Sequence, residues 1–347
     1  MQLDSRGIPS HTRTLSVTLR QGDAGRVDFS AYVLDLRKRG FVPVGGDIQG
    51  PGIIHHMTLN GTVDRDAGRI ETIHGAMPTI AFEANAATGG ESCRDRIGRV
   101  DGLAGTPLDG GYARRVGSEI GGVFGCSHVL TLGQLLGPTS AWALEQDRKH
   151  NGDGSVWTRG ERIFRRDIVV DGNDLDGSLA MSALLTDLHI RPGGPRAEAA
   201  ARFGRQLELR LGIRIDLAQM RIVEASLSER SRGATDLESA PWRDRPDRAD
   251  ALAGLSLRSG VTREVLGRFG GDKHDRPLLD LVLMIAPATL QCVASFIDTY
   301  TRTGGAGRAA AETGGFPDSC YMWRSDGALQ ARRLPLTEPG ASVRDDA

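Results

Sequence analysis

Two stretches of this sequence resemble each other: residues 94–122 read RDRIGRVDGLAGTPLDGGYARRVGSEIGG, and residues 243–271 read RDRPDRADALAGLSLRSGVTREVLGRFGG. At a constant offset of 149 residues, 14 of these 29 positions are identical. Self-similarity at a fixed spacing is typical of a repeated structural unit. The sequence therefore predicts a tandem duplication, with a first copy in residues 1–150, a second in residues 151–302, and a Gly-rich linker and C-terminal tail in residues 303–347.

The part of each copy that precedes the repeated stretch has the pattern of strands. Ser30–Leu36 and Met57–Ile73 are rich in alternating and β-branched residues, and residues 65–68 have the composition of a hairpin turn. In the second copy, Leu207–Ile215 alternates with period two, as expected of a strand with one buried face. Each copy is thus predicted to begin with an antiparallel sheet.

After residue 94 the spacing of apolar residues becomes helical. Leu108–Val116 and Val129–Gln146 place apolar side chains three and four residues apart, and Pro138 predicts a break between two helices. Sheet followed by helices gives an α+β fold, in which the helices of each copy pack on one face of its sheet.

Composition excludes several classes of partner. The 347 residues carry 43 Lys and Arg against 44 Asp and Glu, a formal net charge of -1, which argues against a nucleic-acid partner. Four scattered cysteines do not form a disulfide framework, and the N-terminus lacks the pattern of a secretory signal. We expect a cytoplasmic protein that acts on a small molecule, with an oligomeric state that the sequence leaves open.

The most apolar segment is Leu278–Ile297. It is interrupted by Asp280, Pro287 and Gln291, so the sequence predicts two buried helices rather than a membrane span.

Several chemically reactive side chains occur in the first copy only. The aligned positions of the second copy carry neither cysteine nor histidine. The pairs are His55 with Leu207, His56 with Glu208, Cys93 with Trp242, Cys126 with Asp275, and His128 with Pro277. Loss of the whole set together is expected if the five form one site. By contrast, residues kept in both copies, such as Asp35, are interpreted as caps and turn formers.

Cysteine and histidine in this arrangement point to one of two chemistries. Both are ligands for Zn²⁺ and iron, and a thiolate beside an imidazole is also an activated nucleophile. Cys126 and His128 lie two residues apart at a predicted helix start, where the helix dipole favours a thiolate. A metal site, a metal-free Cys/His nucleophile and plain buried residues all remain open at this point.

The remaining candidates are less informative. Cys292 aligns with an alanine inside an apolar helix and is predicted to be core. His11 starts a strand and is left open between a surface position and the site, whereas His74 is expected to be satisfied locally. Cys320 follows the Gly-rich linker and can return to the first copy, so it joins the candidate metal ligands.

Together these motifs resemble a known family. They are His55-His56-Met57, Arg69-Ile70-Glu71, Cys93, Leu103-Ala104-Gly105, Gly121-Gly122, Gly125-Cys126-Ser127-His128-Val129 and Asp318-Ser319-Cys320. The first copy and the tail are similar to the bacterial family called domain of unknown function 2889. The chain differs from that family by having His56 where Asp is usual and by its second copy. The family name implies no activity.

A more distant similarity concerns the fold. The order of strands, cysteine and Cys-containing helix start is similar to the scaffold and sulfur-acceptor proteins of iron–sulfur cluster assembly. That resemblance implies that Cys93 and Cys126 converge with the His55-His56 pair at one end of the sheet. Imidazole in place of a thiolate shifts the expected metal toward a single Zn²⁺.

Three functions follow as expectations. The first is a metal-dependent hydrolase or lyase acting on a small acyl or aromatic carbonyl compound. Its metal, zinc or alternatively iron, is held by His55, Cys93, Cys126, His128 and Cys320; His56 and Cys126 act in catalysis. The second is a carrier for zinc, an iron–sulfur cluster or persulfide sulfur, and the third is a structural protein without a site.

Overall fold

The computed structural model describes residues 7–23, 25–40, 42–44, 47–152, 157–175, 177–193, 198, 200–258, 260–271, 275–295 and 318–331. These residues form one nine-stranded antiparallel sheet, a separate two-stranded sheet and a layer of helices. The fold is therefore α+β. The predicted Gly-rich linker from residue 303 and most of the tail lie outside the described residues.

The strands come in two sets along the chain. The first set is β1 (Ile8–Gln21), β2 (Arg26–Arg37), β3 (Val42–Val44), β4 (Asp47–Gln49), β5 (Gly52–Asp64) and β6 (Arg69–Thr79). The second is β7 (Arg162–Leu175), β8 (Ser178–Ile190), β9 (Phe203–Asp216), β10 (Arg221–Arg232) and β11 (Arg243–Asp244). In space the large sheet runs β11-β10-β9-β8-β7-β1-β2-β5-β6, while β3 and β4 pair with each other.

Helices follow each set of strands. The first half has α1 (Tyr112–Ile120) and α2 (Ser127–Asn151), with 3-10 helices at Cys93–Leu103 and Gly122–Phe124. The second half has α3 (Pro246–Asp250), α4 (Val261–Phe269), α5 (Arg276–Leu283) and α6 (Ile285–Ala294). A short 3-10 helix at Tyr321–Trp323 lies in the tail.

The two halves share one sheet. β1 and β7 pair antiparallel, with Leu15 opposite Ile168. This pairing joins β1, β2, β5 and β6 to β7 through β11, so the two sheets expected from the sequence are continuous. The main-chain N–H of Gly105 donates to Ile70 O at 2.8 Å, and that of Gly254 donates to Ile222 O at 2.8 Å. The same junction between sheet and helices thus recurs in both halves.

Alternation along the strands directs one face of the sheet toward the helices. Leu15, Val17 and Leu19 of β1 are fully buried, whereas Thr14 and Thr18 on the opposite face are partly exposed. This is the period-two pattern of a sheet with one covered face. The hairpin predicted at residues 65–68 is confirmed between β5 and β6.

The predicted helix break at Pro138 is wrong. α2 runs through this residue without interruption from Ser127 to Asn151. Proline removes one backbone hydrogen bond. Leu135 and Leu136 before it and Thr139 and Ser140 after it are all buried, so packing on both sides outweighs that loss and keeps one helix.

Close packing of α1 on α2 depends on a glycine. A Cβ atom at Gly137 would lie 2.3 Å from the ring of Tyr112, whose hydroxyl donates to Gly133 O at 3.0 Å. No larger residue fits at position 137 without moving the tyrosine. This contact fixes α1 against α2, whose first turn carries His128.

Residues Arg276–Ala294 are long and apolar enough to cross a membrane, with a mean hydropathy of 1.7, but 67% of that window is buried inside the protein. They form the two helices α5 and α6, which meet at Met284 and pack on the sheet. The expectation of two buried helices is confirmed, and this burial is the pattern of core helices in a soluble protein.

Candidate metal centre

Four polar side chains meet at one end of the sheet, on the face covered by helices. His11 comes from β1, Asp35 from β2 and His55 from β5, and these three strands are neighbours. Asp35 lies directly opposite His55 in the strand register. His128 approaches from the first turn of α2. The end of the sheet and the start of a helix thus position the cluster.

Asp35 is at the centre of this cluster and is fully buried. Arg13 donates to both carboxylate oxygens, at 2.8 Å from Nε and 2.9 Å from Nη2, and His11 Nε2 lies 2.9 Å from Oδ1. Burial alone would raise the pKa of Asp35, but the Arg13 charge and the hydrogen bond from His11 outweigh it and hold this pKa well below its usual range. Asp35 is therefore a carboxylate.

Two imidazoles face the other oxygen of Asp35. His55 Nδ1 and His128 Nε2 each lie 3.5 Å from Asp35 Oδ2. The two rings are tilted by 34° with their centroids 3.9 Å apart. Ligand atoms of these three residues all lie within 4.8 Å of one another, which is the condition for holding one ion.

The spacing matches a metal ion better than a hydrogen-bonded cluster. At 3.5 Å the contacts are longer than ordinary N–H···O hydrogen bonds. Two ligand atoms bound tetrahedrally to one Zn²⁺ lie about 3.4 Å apart, given metal–ligand distances of about 2.1 Å. Among the described residues, His55 Nδ1 is buried without a hydrogen-bond partner. A buried, unsatisfied nitrogen of this kind is costly, and a bound cation removes that cost.

His128 is fixed by neighbours on both sides of its ring. Cys126 Sγ lies 3.8 Å from His128 Nδ1, and Gln291 Nε2 of α6 lies 3.1 Å from His128 Nε2. The orientation of the Gln291 amide is interchangeable, so either its nitrogen or its oxygen can occupy this place. Burial lowers the pKa of His128 well below its usual value and also lowers that of His11. Both rings are therefore neutral, the state in which imidazole binds metals.

The thiols lie beside this cluster. Cys126 Sγ is 3.7 Å from Met57 Sδ, and burial raises the pKa of Cys126 to about 12. The expectation that the helix start makes Cys126 a thiolate is therefore wrong, because burial outweighs the helix dipole. Burial also raises the pKa of Cys93 and of Cys320. The nearby thiols of Cys126 and Cys320 raise the pKa of Cys93 further, because two neighbouring thiolates would repel each other.

The tail returns to the first half, which brings Cys320 to Cys93. Tyr321 N donates to Gly125 O at 2.8 Å, and the Tyr321 hydroxyl donates to Glu91 at 3.0 Å. Arg324 also pairs with Glu91. The side chains of Cys93 and Cys320 pack against the small apolar cluster that surrounds Tyr321.

The predicted site residues thus fall into two groups. His128 contacts both His55 and Cys126, and Cys93 and Cys320 lie near Cys126. His56 is not in this group. It follows His55 on β5, so its ring points to the opposite face of the sheet and contacts Tyr32 edge-on at 6.2 Å. Its predicted acid/base role stays a prediction without a geometric link to the cluster.

Sequence reasoning left His11 open, which the structure places in the cluster, and missed both Asp35 and its partner Arg13. It took Asp35 as a cap or turn former, but Asp35 lies inside β2, and it did not consider Arg13. The signal was the repeat itself. In the second half Arg166 donates to Asp187 through Nε and Nη2, both at 2.7 Å, and the pair is fully buried. A buried Arg–Asp pair is what both halves keep.

Around that pair the second half differs. The strand partner of Asp187 is Leu207, where Asp35 has His55. Arg166 is further paired with Asp280, a second buried carboxylate. In the second half, therefore, the arginine is neutralised by acids and the position facing Asp187 is apolar.

Other predictions made from single residues hold. Cys292 is 1% exposed and lies in the core, as expected. His74 is exposed and lies 3.2 Å from Asp101, a local partner.

Comparison with known proteins supports the resemblance for part of the chain. Residues 11–141 match the family model described as "Protein of unknown function (DUF2889)". This match includes His11, Asp35, His55 and His128, whereas the tail with Cys320 lies outside it. No curated protein and no solved structure matches the chain. The expected similarity to iron–sulfur scaffold proteins accordingly has no support from these comparisons.

Proposed function

We propose that this protein is a metal-dependent enzyme, a hydrolase or lyase, with one divalent ion held by Asp35, His55 and His128 in its first half. The single observation that carries the proposal is the convergence of these three ligand atoms within 4.8 Å around a buried imidazole nitrogen that lacks a partner. Three protein ligands of nitrogen and oxygen leave a coordination position open, as in catalytic zinc sites. Zinc is the expected metal. Iron is the alternative, because two histidines and one carboxylate also suit Fe²⁺.

The ligand set differs from the one expected from the sequence. Asp35 takes the ligand role that the sequence assigned to cysteine. Cys126 is not a ligand in this proposal and instead supports His128 through a hydrogen bond. If His128 Nε2 bound the ion, it would give up its hydrogen bond with Gln291, and its Nδ1 would carry a proton and donate to Cys126 Sγ, 3.8 Å away. Such outer hydrogen bonds orient metal-binding imidazoles. His11 and Arg13 orient Asp35 in the same way, through the hydrogen bonds to its two oxygens.

The charges around the cluster favour an anionic substrate. Arg13 and Asp35 cancel each other, so a divalent ion at this place carries positive charge that no described side chain of the cluster offsets. An anionic group in the open position restores the balance. When bound, the ion would polarise a carbonyl oxygen or activate water. A small acyl or aromatic carbonyl compound that develops negative charge on oxygen fits this environment.

The protonated state of the three partly buried thiols favours this function over a carrier. A carrier needs an accessible thiolate, and the raised pKa values of Cys93, Cys126 and Cys320 keep these groups protonated. Reduced thiols accord with a cytoplasmic protein, which we also propose.

We infer further that the second half is a duplicated unit that has lost the ion. What supports this is the recurrence of the sheet-to-helix hydrogen bonds and of the buried Arg–Asp pair, together with the sequence identity of residues 94–122 and 243–271.

The proposal is tested by elemental analysis of protein expressed without added zinc. We expect one zinc ion per chain, lost on dialysis against a chelator together with a fall in melting temperature. A Cys126→Ser variant should keep the metal, since the thiol is not a ligand here. Iron in place of zinc would move the reaction toward oxygen chemistry. Protein without metal, whose melting temperature ignores the chelator, would refute the site.

A further inference from the structure

The second half contains a cavity of about 390 Å³ on the helix-covered face of the sheet. It lies between the ends of β9 and β10 and the start of α5, with Trp142 of α2 reaching in from the first half. Its volume falls in the range of small-molecule sites, which is about 300–1,000 Å³.

The cavity occupies the place in the second half that the candidate metal centre occupies in the first. Leu207, which lines it, is the strand partner of Asp187 as His55 is of Asp35. Pro277, at the start of α5, also lines it. Two positions that hold metal ligands in the first half thus line a hollow with apolar side chains in the second.

The floor of the cavity is apolar. It consists of leucines from two strands and one helix that are nearly inaccessible to solvent: Leu209 at 3%, Leu227 at 4% and Leu278 at 4% exposed. An apolar floor of this kind favours a ligand with a hydrocarbon or aromatic body.

The rim carries two arginines that lack acidic partners. Among the described residues, no carboxylate lies within 4.0 Å of the guanidinium of Arg205 or Arg243, and Arg205 Nε donates to Ser231 Oγ at 2.9 Å. By contrast, Arg245 of the same rim pairs with Glu229 at 2.7 Å.

The charged side chains of the rim sum to one excess positive charge. Asp275 is paired with Arg248 and the remaining lining arginine, Arg230, with Glu208, so Asp236 is the lining carboxylate that counts against the two arginines. Asp236 accepts a hydrogen bond from the main-chain N–H of Gly233. The surplus of a single positive charge above an apolar floor matches one carboxylate group, which guanidinium binds in a planar, two-pronged geometry.

We propose that this cavity binds a small monoanionic organic acid, with its carboxylate between Arg205 and Arg243 and its apolar body on the leucine floor. The site is separate from the metal centre. Binding there does not depend on the proposed function. Such binding gives the second half a role that requires no metal ligand.

The test is a calorimetric titration of the full chain with phenylacetate, in chelator, so that no metal contributes. Phenylacetamide, which has the same shape without the charge, and inorganic phosphate, which has charge without the apolar body, serve as comparison ligands. We expect saturable binding of one phenylacetate per chain, and binding at least about tenfold weaker for both other compounds, equivalent to about 1.4 kcal/mol.

Variants locate the site. The double variant Arg205→Gln with Arg243→Gln should weaken phenylacetate binding at least about tenfold, whereas Arg263→Gln, at an exposed arginine of α4 away from the cavity, should change it less than about twofold. His55→Ala should bind phenylacetate like the unaltered chain. Melting curves establish that each variant is folded.

Three results would overturn the inference. Phenylacetamide could bind as tightly as phenylacetate, or binding in the double variant could be unchanged. Phenylacetate could also fail to saturate the protein up to about 10 mM, which means binding weaker than that of a site with a Kd of about 1 mM. Binding that His55→Ala abolishes would place the acid at the candidate metal centre instead. That outcome sinks this inference and leaves the proposed function standing.

Discussion

His55 Nδ1 lies 3.5 Å from Asp35 Oδ2 and, among the described residues, forms no hydrogen bond despite being buried. The two residues are strand partners, so their separation is fixed by the sheet and not by a flexible loop. A donor atom held rigidly at this distance from a carboxylate is prepared for an ion and needs little rearrangement to bind it.

Replacing His55 should remove the metal, and replacing His56 should not. His55→Ala deletes one of three ligands, for which we expect a loss of zinc affinity of at least about 100-fold, beyond the range seen for supporting groups. His56→Ala is the matched control, since the adjacent ring points to the other face of β5. Competition with a chromophoric chelator measures both affinities. Equal affinities in the two variants would contradict the assignment of ligands.

Arg13→Met should destabilise the fold strongly. The substitution leaves Asp35 as a buried carboxylate without its main partner, and breaking a buried pair in this way costs about 3–5 kcal/mol. Arg26→Met breaks an exposed pair with Glu71 and should lower the free energy of unfolding far less. Denaturant unfolding of metal-free protein gives both free energies. A similar small loss in the two variants would mean that Asp35 takes up a proton or finds other partners at little cost.

The sequence predicted the elements well where local pattern decides them. Period-two alternation identified β2, β5, β6 and β9, and the polar residues 65–68 identified a hairpin. Pro138 misled because local backbone chemistry was outweighed by packing, which acts between elements that are distant in the sequence. The pairing of β1 with β7 was missed for the same reason, since strand order in a sheet has no signature within a single strand.

For the site, the sequence identified imidazoles and thiols but not the carboxylate between them. Comparison of the two halves separates residues that differ from residues that are kept, and Asp35 is kept because both halves need a buried Arg–Asp pair. A comparison that looks for differences does not mark such a residue as a candidate ligand, because the same residue is present in both halves. Burial, which raises the pKa of Cys126 to about 12, was likewise invisible before the helices were placed on the sheet.

Acid should destabilise the protein partly through His189. Burial lowers the pKa of His189 to about 3, and the neighbouring charges of His150, Arg166 and Arg205 act in the same direction. In the unfolded chain this imidazole takes up a proton below about pH 6.5, which the folded state resists. The contribution of His189 to stability is therefore unchanged above pH 6.5 and is lost as the pH falls from 6.5 toward 3.

A His189→Phe variant tests this dependence. Between pH 6 and 4 the free energy of unfolding should fall less steeply in the variant, by up to about 1.4 kcal/mol per pH unit, because one titrating group is gone. His74→Gln controls for removal of an exposed histidine. Parallel curves for the variant and the unaltered chain would show that His189 is protonated in the folded state.

The tail should protect Cys93 from modification. Cys93 packs against the tail cluster of Tyr321, Met322 and Leu329, in which the Tyr321 ring contacts Arg96 and Arg324 at 4.5 and 4.3 Å and its hydroxyl donates to Glu91. Two cation–π contacts and one hydrogen bond to a charged group are together worth about 2–3 kcal/mol, so Tyr321→Ala should raise the population of the opened tail roughly 30-fold or more. Alkylation of Cys93 by iodoacetamide, followed by mass spectrometry, should accelerate accordingly.

Cys292, 1% exposed beneath the sheet, provides the internal control and should react at the same slow rate in both proteins. If Cys93 reacts equally fast with and without the Tyr321 ring, the tail does not cover it, and Cys320 has no place beside the metal centre.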